Sequence, residues 1–281
     1  MPLISAPDLR HRLPSACLLD ARPEAAAYAA GHLPGARHAD LNRQLSTATD
    51  TGHDPALGGR HPLPPVERFA AQVGAWGISP DTEVVVYDTN GGGNAAARLW
   101  WMLRALGHAR VTVLDGGLPA ALAAGLTLTQ DLPDVTPLAP YPACDWTLPL
   151  VDADTVEAWR RDPDRGVLDV RSGERWRGET EPFDPVAGHI PGSLNLAWNE
   201  NLGPDGRFKS PAALLAQYEA LLGNLPTSRL AVHCGSGVTA CHTLLALEAA
   251  GLSGAALYVG SWSEWCRSGR EKSGSTKGTK R

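Results

Sequence analysis

Val167-Leu168-Asp169-Val170-Arg171, followed downstream by Gly188-His189-Ile190-Pro191-Gly192, repeats a pattern already present once in the chain. The first copy reads Cys17-Leu18-Leu19-Asp20-Ala21-Arg22, followed by Gly31-His32-Leu33-Pro34-Gly35. Such self-similarity means that one architecture is used twice. Both copies then run into a β-branched or apolar segment, Glu83-Val84-Val85-Val86-Tyr87 in the first and Leu230-Ala231-Val232-His233 in the second. Each leads through a glycine-rich turn into an Ala/Leu-rich stretch, residues 94–106 and 238–250. A second apolar run follows, Val111-Thr112-Val113-Leu114 or Ala256-Leu257-Tyr258-Val259, and closes on Gly116-Gly117 or Gly260-Ser261. Each half therefore reads strand, loop, helix, strand, helix, strand.

Short apolar strands alternating with helices define an α/β fold, because a strand hydrophobic throughout must be covered on both faces. The chain is expected to form two domains, each a mainly parallel sheet with helices on both faces. The two Ala/Leu-rich helices end at Gly107 and Gly251, residues suited to a helix C-terminus. Between the halves, Pro133, Pro137, Pro140, Pro142 and Pro149 mark a semi-rigid linker. The expected organisation is residues 1–130 as the first domain, 131–147 as linker, 148–267 as the second domain, and 268–281 as a disordered Ser/Lys/Gly/Thr-rich tail.

The 281 residues are 43% hydrophobic, enough for substantial cores, with a net charge of −5 and a pI of about 6.0. That charge argues against a nucleic-acid or anionic-membrane partner. No apolar run is long enough to span a bilayer. The start, Met1 to Leu19, lacks the basic flank and apolar stretch of a secretion signal, so it reads as mature cytoplasmic protein. The five cysteines are odd in number and form no C-x-x-C pair, which fits free thiols in a reducing compartment better than a zinc site or disulfides.

The chemistry is expected at His233-Cys234-Gly235-Ser236-Gly237-Val238-Thr239. Here a cysteine ends a buried strand, a glycine-rich loop follows, and a helix begins. Open α/β sheets bind ligands at this edge. Gly235 and Gly237 let the loop curl with its N–H groups inward, a nest that attracts anions beside a helix N-terminus. Such surroundings favour the thiolate form of a cysteine. A thiolate can take up a sulfane sulfur, and the same donors would hold the resulting persulfide without metal or organic cofactor. In the first half the matching stretch is Tyr87-Asp88-Thr89-Asn90-Gly91-Gly92-Gly93, so the fold itself does not require a thiol there. Cys241, two helical turns after Cys234, reads as a packed helix cysteine.

From Ile4 to Trp265 the sequence resembles the tandem-rhodanese sulfurtransferases, which pair an inactive N-terminal with an active C-terminal rhodanese domain. The resemblance rests on both Asp-x-Arg strands and both Gly-His-[Leu/Ile]-Pro-Gly turns. It extends to Arg98-Leu99-Trp100-Trp101, Leu114-Asp115-Gly116-Gly117 and Gly260-Ser261-Trp262-Ser263-Glu264-Trp265. Cys234-Gly235-Ser236-Gly237-Val238-Thr239 is similar to the active loop of the 3-mercaptopyruvate enzymes. Thiosulfate-preferring members typically carry Cys-Arg-Lys-Gly-Val-Thr. The resemblance implies a Cys234 nucleophile, with Ser236 beside it to polarise the substrate or move a proton. Gly235, Gly237, Val238 and Thr239 are the implied donor-contacting positions.

His61, in Gly59-Arg60-His61-Pro62, matches the histidine proposed to work with that serine. The acidic residue completing the relay falls at Asn42, and Asp40 would point the opposite way in an extended segment. Of two arginines that hold the donor carboxylate, Arg175 matches the first and Phe183 replaces the second. An arginine restored at 183 is thus expected to improve use of mercaptopyruvate.

The implied reaction moves sulfur from 3-mercaptopyruvate to a thiol, cyanide or a thioredoxin-like reductant; thiosulfate is the alternative donor. A cysteine phosphatase is disfavoured because the loop has no arginine and Ala240 stands where one would be needed. A non-catalytic binding module is disfavoured because the cysteine is retained in a complete loop.

Overall fold

The β-branched runs become strands wherever both faces can be covered. In the computed structural model, which describes residues 1–13, 15–93 and 95–274, β1 (Leu3–Ile4), β2 (Cys17–Asp20), β3 (Arg37–His38), β4 (Val84–Tyr87) and β5 (Val111–Leu114) form one sheet in the order β1-β5-β4-β2-β3. A second sheet joins β6 (Leu150–Val151), β7 (Gly166–Asp169), β8 (Leu194–Asn195), β9 (Leu230–His233) and β10 (Ala256–Tyr258) in the order β6-β10-β9-β7-β8. All their pairings are parallel. β2, β4, β7 and β9 are buried at every position, as strands covered on both faces must be.

The covering helices in the first half are α1 (Ala6–Arg12), α2 (Ala25–Ala30), α3 (Val66–Ala75), α4 (Ala96–Ala105) and α5 (Gly117–Ala123). Those of the second are α6 (Ala153–Trp159), α7 (Gly173–Trp176), α8 (Pro211–Leu222), α9 (Thr239–Ala249) and α10 (Ser261–Trp265). The α/β reading and the duplication both hold. The two-residue strands β1, β3, β6 and β8 had no sequence signal, since a pair of residues shows no period. α4 begins at Ala96; Asn94, the expected start of that stretch, lies outside the described residues.

The chain divides into two compact units, and the division is not a single cut in sequence. The first holds Met1–Thr49, Leu63–Leu148 and Leu202–Ser210; the second holds Asp50–Pro62, Pro149–Asn201 and the chain from Pro211 onward. Asp50–Pro62, embedded in the first half by sequence, thus belongs structurally to the second. The proline-rich segment runs along the first unit, where Leu138 N–H donates to the Gly74 carbonyl and Tyr141 N–H to that of Ala70. Of the predicted tail, residues 268–274 are described, with Ser273 bridging His189 in the second unit, and residues 275–281 lie outside the described residues. Among the described residues no helix is long and apolar enough to cross a membrane.

The two recurring motifs are one device. In β7 the Asp169 carboxylate accepts from the Arg171 backbone N–H (3.0 Å) and from Nε and Nη2 of its guanidinium (3.0 and 2.6 Å). Nη2 also donates to the Gly188 carbonyl (2.7 Å), tying the strand end to the Gly-His-Ile-Pro-Gly turn. Asp20 and Arg22 repeat this in the first unit, where Nη2 reaches the Gly31 carbonyl at 2.7 Å.

Burial holds His108, His189 and His233 below the ordinary histidine pKa, although Asp169 pushes the last two upward. Below about pH 6.5 the unfolded chain therefore binds protons that the folded chain does not. Stability should fall as pH drops from 7.5 to 5.5. Thermal melts across that range check this; a midpoint that stays level or rises contradicts it.

Candidate active site

β9 delivers Cys234 to the C-terminal edge of the second sheet, and the loop from Gly235 to Val238 turns the chain into α9. Gly237 takes φ +75°, which lets the loop curl without a Cβ clash. Cys234 is only 2% exposed, and Ser236 and Val238 are also buried.

α10 anchors the cysteine from the neighbouring strand. Ser261 sits at φ +54°, in the left-handed region, where a non-glycine residue costs roughly 1–2 kcal/mol. Its hydroxyl accepts the Cys234 N–H (3.2 Å) and donates to the Tyr258 carbonyl (2.9 Å). Trp262 N–H donates to the Cys234 carbonyl (3.0 Å) and Ser263 N–H to that of Gly235 (2.9 Å). In the first unit the corresponding left-handed position is Gly117, at φ +59°, and Leu118 N–H donates to the Asp88 carbonyl (2.8 Å). A serine where the duplicate has glycine exchanges backbone ease for a hydroxyl on the cysteine's amide. Sequence reading gave Ser261 no role.

Trp262 and Trp265 are fully buried and rank among the largest fully buried side chains. Cys241 is buried in α9, its Sγ donating to the Gly237 carbonyl at 3.4 Å, which fits a packed helix cysteine.

The segment Asp50–Pro62 brings His61 to the loop, with Nδ1 2.9 Å from Ser236 Oγ. Three further ties hold this segment. Gly58 N–H donates to Glu264 (2.9 Å). Gly59, at φ +82°, packs so closely that a Cβ would lie 2.4 Å from the Gly260 carbonyl oxygen. Arg60 pairs with Asp184. Asp40 and Asn42, the other two residues weighed for the relay, lie at the start of a turn and within it, and the Asp40 carboxylate accepts the N–H groups of Asn42 (2.8 Å) and Arg43 (3.1 Å). Alternation along a strand therefore says nothing of where Asp40 points.

Arg175, on α7, donates to Glu181 at 2.7 Å, and its Nη2 lies 3.9 Å from Asp184. Its guanidinium and that of Arg60 meet above Gly235: a Cβ there would lie 3.2 Å from Arg60 Nη2 and 3.3 Å from Arg175 Nη2. Phe183 is 64% exposed, with Arg60 and Arg175 stacked over its ring at 5.5 and 5.1 Å. Among the described residues, no group of three or more His, Cys, Asp and Glu side chains is placed to hold a metal ion.

The chain belongs to the family of the rhodanese-like domain, which matches residues 5–124 and 152–268. A Pseudomonas aeruginosa protein named a probable 3-mercaptopyruvate sulfurtransferase is 46% identical over 273 residues, covering 94% of each chain. The thiosulfate sulfurtransferase of Azotobacter vinelandii is 34% identical over 276 residues, again covering 94% of each. Among solved structures, Escherichia coli SseA, described with the rhodanese fold and catalytic mechanism of 3-mercaptopyruvate sulfotransferases, superposes with a TM-score of 0.77 at 28% identity. That match spans 93% of this chain and 99% of SseA.

Proposed function

We propose that this chain is a sulfurtransferase that takes a sulfur atom from 3-mercaptopyruvate onto Cys234 and passes it to a thiol or cyanide acceptor. The observation that carries this reading is the Cys234 loop, with a serine–histidine pair on its rim. The first unit offers an internal parallel for what such a loop does to an anion. There the Asp88 carboxylate, directly after β4, accepts N–H groups of Asn90 (2.8 Å), Gly92 (2.9 Å), Ala95 (3.3 Å) and Ala96 (3.2 Å). A loop of this kind gathers backbone donors around one negative group. In the second unit a persulfide on Cys234 would be that group.

The thiolate of Cys234 attacks the donor sulfur, the carbon–sulfur bond breaks, and its electron pair leaves as the enolate of pyruvate. That enolate takes a proton and the persulfide remains. The Ser236–His61 pair, 2.9 Å apart, would polarise the donor carbonyl or move the proton. The acceptor then attacks the outer sulfur and Cys234 leaves as thiolate, the two-step pattern of covalent catalysis. A thioredoxin-like reductant is one acceptor class with suitable thiols. Five free cysteines fit work in the reducing cytoplasm.

Thiosulfate is the second donor reading. Arg60 and Arg175 place positive charge over the loop, which suits a dianion although Gly235 and Ser236 carry none. Mass spectrometry of the purified protein after each donor tests both readings. Gain of one sulfur on Cys234 from 3-mercaptopyruvate, faster than from thiosulfate, is expected. The reverse order favours thiosulfate, and no gain from either donor refutes sulfur transfer.

A further inference from the structure

Gly260-Ser261-Trp262-Ser263-Glu264 in the second unit matches Gly116-Gly117-Leu118-Pro119-Ala120 in the first. In both, the fifth side chain folds back over the leading glycine. A Cβ at Gly116 would collide with Ala120, and one at Gly260 with the Glu264 carboxylate. The turn forms with alanine in the first unit, so the fold does not require a carboxylate there. Nor does it require the tyrosine at 258, which matches Leu114.

These two side chains build a clasp. Glu264 Oε2 accepts the Tyr258 hydroxyl at 2.7 Å. Burial and the Glu264 charge push that hydroxyl well above its ordinary pKa, so it stays a donor. With one carboxylate oxygen held by β10, the other, Oε1, accepts the Gly58 N–H at 2.9 Å. Gly58 and Gly59 take φ +86° and +82°, and Gly59 packs against the Gly260 carbonyl with no room for a Cβ. Two residues after Gly59 comes His61, whose Nδ1 lies 2.9 Å from Ser236 Oγ.

We propose that Glu264 is a positioning residue for sulfur uptake: through Gly58 it sets the register at which His61 meets Ser236. This rests on the sulfur-transfer reading and adds to it a residue that acts through the Asp50–Pro62 segment. A pair that moves a proton works within about 2.6–3.2 Å, and a displacement of about 1 Å can cost about 100-fold in rate.

The two half-reactions separate this role from a structural one. Uptake from 3-mercaptopyruvate has a carbonyl to polarise and an enolate to protonate. In discharge, cyanide carbon attacks the outer sulfur and the S–S bond breaks. Its electron pair returns to Cys234 as thiolate, and no proton moves. Glu264→Ala should fold, as the alanine of the first unit does at that place. It is expected to slow single-turnover uptake from 3-mercaptopyruvate by about 10- to 100-fold. Discharge of the loaded persulfide to cyanide should not change.

Glu264→Gln should recover most of the loss, its carbonyl accepting from Gly58 and its amide donating to the Tyr258 oxygen. Tyr258→Phe, which releases one side of the carboxylate, should slow uptake less than Glu264→Ala does. In a His61→Ala background, Glu264→Ala should add nothing, because the two changes remove the same interaction. Unchanged uptake in Glu264→Ala, equal losses in uptake and discharge, or full additivity with His61→Ala would each overturn the proposal. So would a Glu264→Gln variant as slow as Glu264→Ala. These outcomes are separable from failure of the sulfur-transfer reading, in which wild-type Cys234 gains no sulfur from any donor.

Discussion

Replacing Cys234 by serine is expected to lower sulfur transfer by at least about 1,000-fold in kcat/KM with any donor, because the covalent intermediate has no atom left to form on. Serine keeps the size of the side chain, and the backbone ties through Ser261 and Trp262 do not involve the sulfur. The variant should therefore fold, and alanine at the same position provides a control without a hydroxyl. Mass spectrometry should show no added sulfur on either variant after donor treatment. Cys241→Ser should retain near-wild-type transfer, since that thiol already donates to the Gly237 carbonyl within α9. The idea sinks if Cys234→Ser keeps transferring sulfur while Cys241→Ser does not. It also sinks if the added sulfur is found on another cysteine.

The parts of this site that were legible in the sequence are those where local chemistry and topology coincide. Cys234-Gly235-Ser236-Gly237 directly follows a strand, so its place at the sheet edge follows from the α/β pattern alone. The duplication exposed Asp88 as the counterpart of Cys234, and the structure shows that carboxylate enclosed by backbone amides. What was not legible depends on non-local placement. Nothing local in Gly58-Gly59-Arg60-His61 says that Asp50–Pro62 packs with the second unit, so Arg60 stayed invisible beside the recognised His61. Asp184 was missed for the same reason, since its importance lies in gathering Arg60 and Arg267 from two other segments. Ser261 was hidden by its backbone angle, which is a tertiary outcome. Its one sequence signal was serine in the second half where the first has glycine.

Arg171→Met should cost about 3–5 kcal/mol of folding stability, a large share of the roughly 5–15 kcal/mol available to a domain. Asp169 is fully buried and the Arg171 side chain is 1% exposed. Burial alone would push the Asp169 carboxyl up; the Arg171 guanidinium, His233 and the hydrogen bonds from Arg171 together hold it below the usual carboxylate range. Methionine fills the space but leaves that charge unpaired. It also strips one partner from Glu181 and the donor from the Gly188 carbonyl. The equivalent change in the first unit, Arg22→Met, should cost less, because Asp20 keeps the Tyr87 hydroxyl at 2.9 Å. Asp169→Asn added to Arg171→Met should recover part of the loss by removing the charge. The pH dependence is a further signature. Without its partner the Asp169 carboxyl rises above its unfolded value, so the variant loses stability as pH climbs through that range. Its deficit against wild type must then be larger at pH 8 than at pH 5. Denaturant melts of the three variants at both pH values decide the matter. A loss of under about 1 kcal/mol for Arg171→Met, or a deficit that grows as pH falls, would mean that the pair is not what ties β7 to its turn.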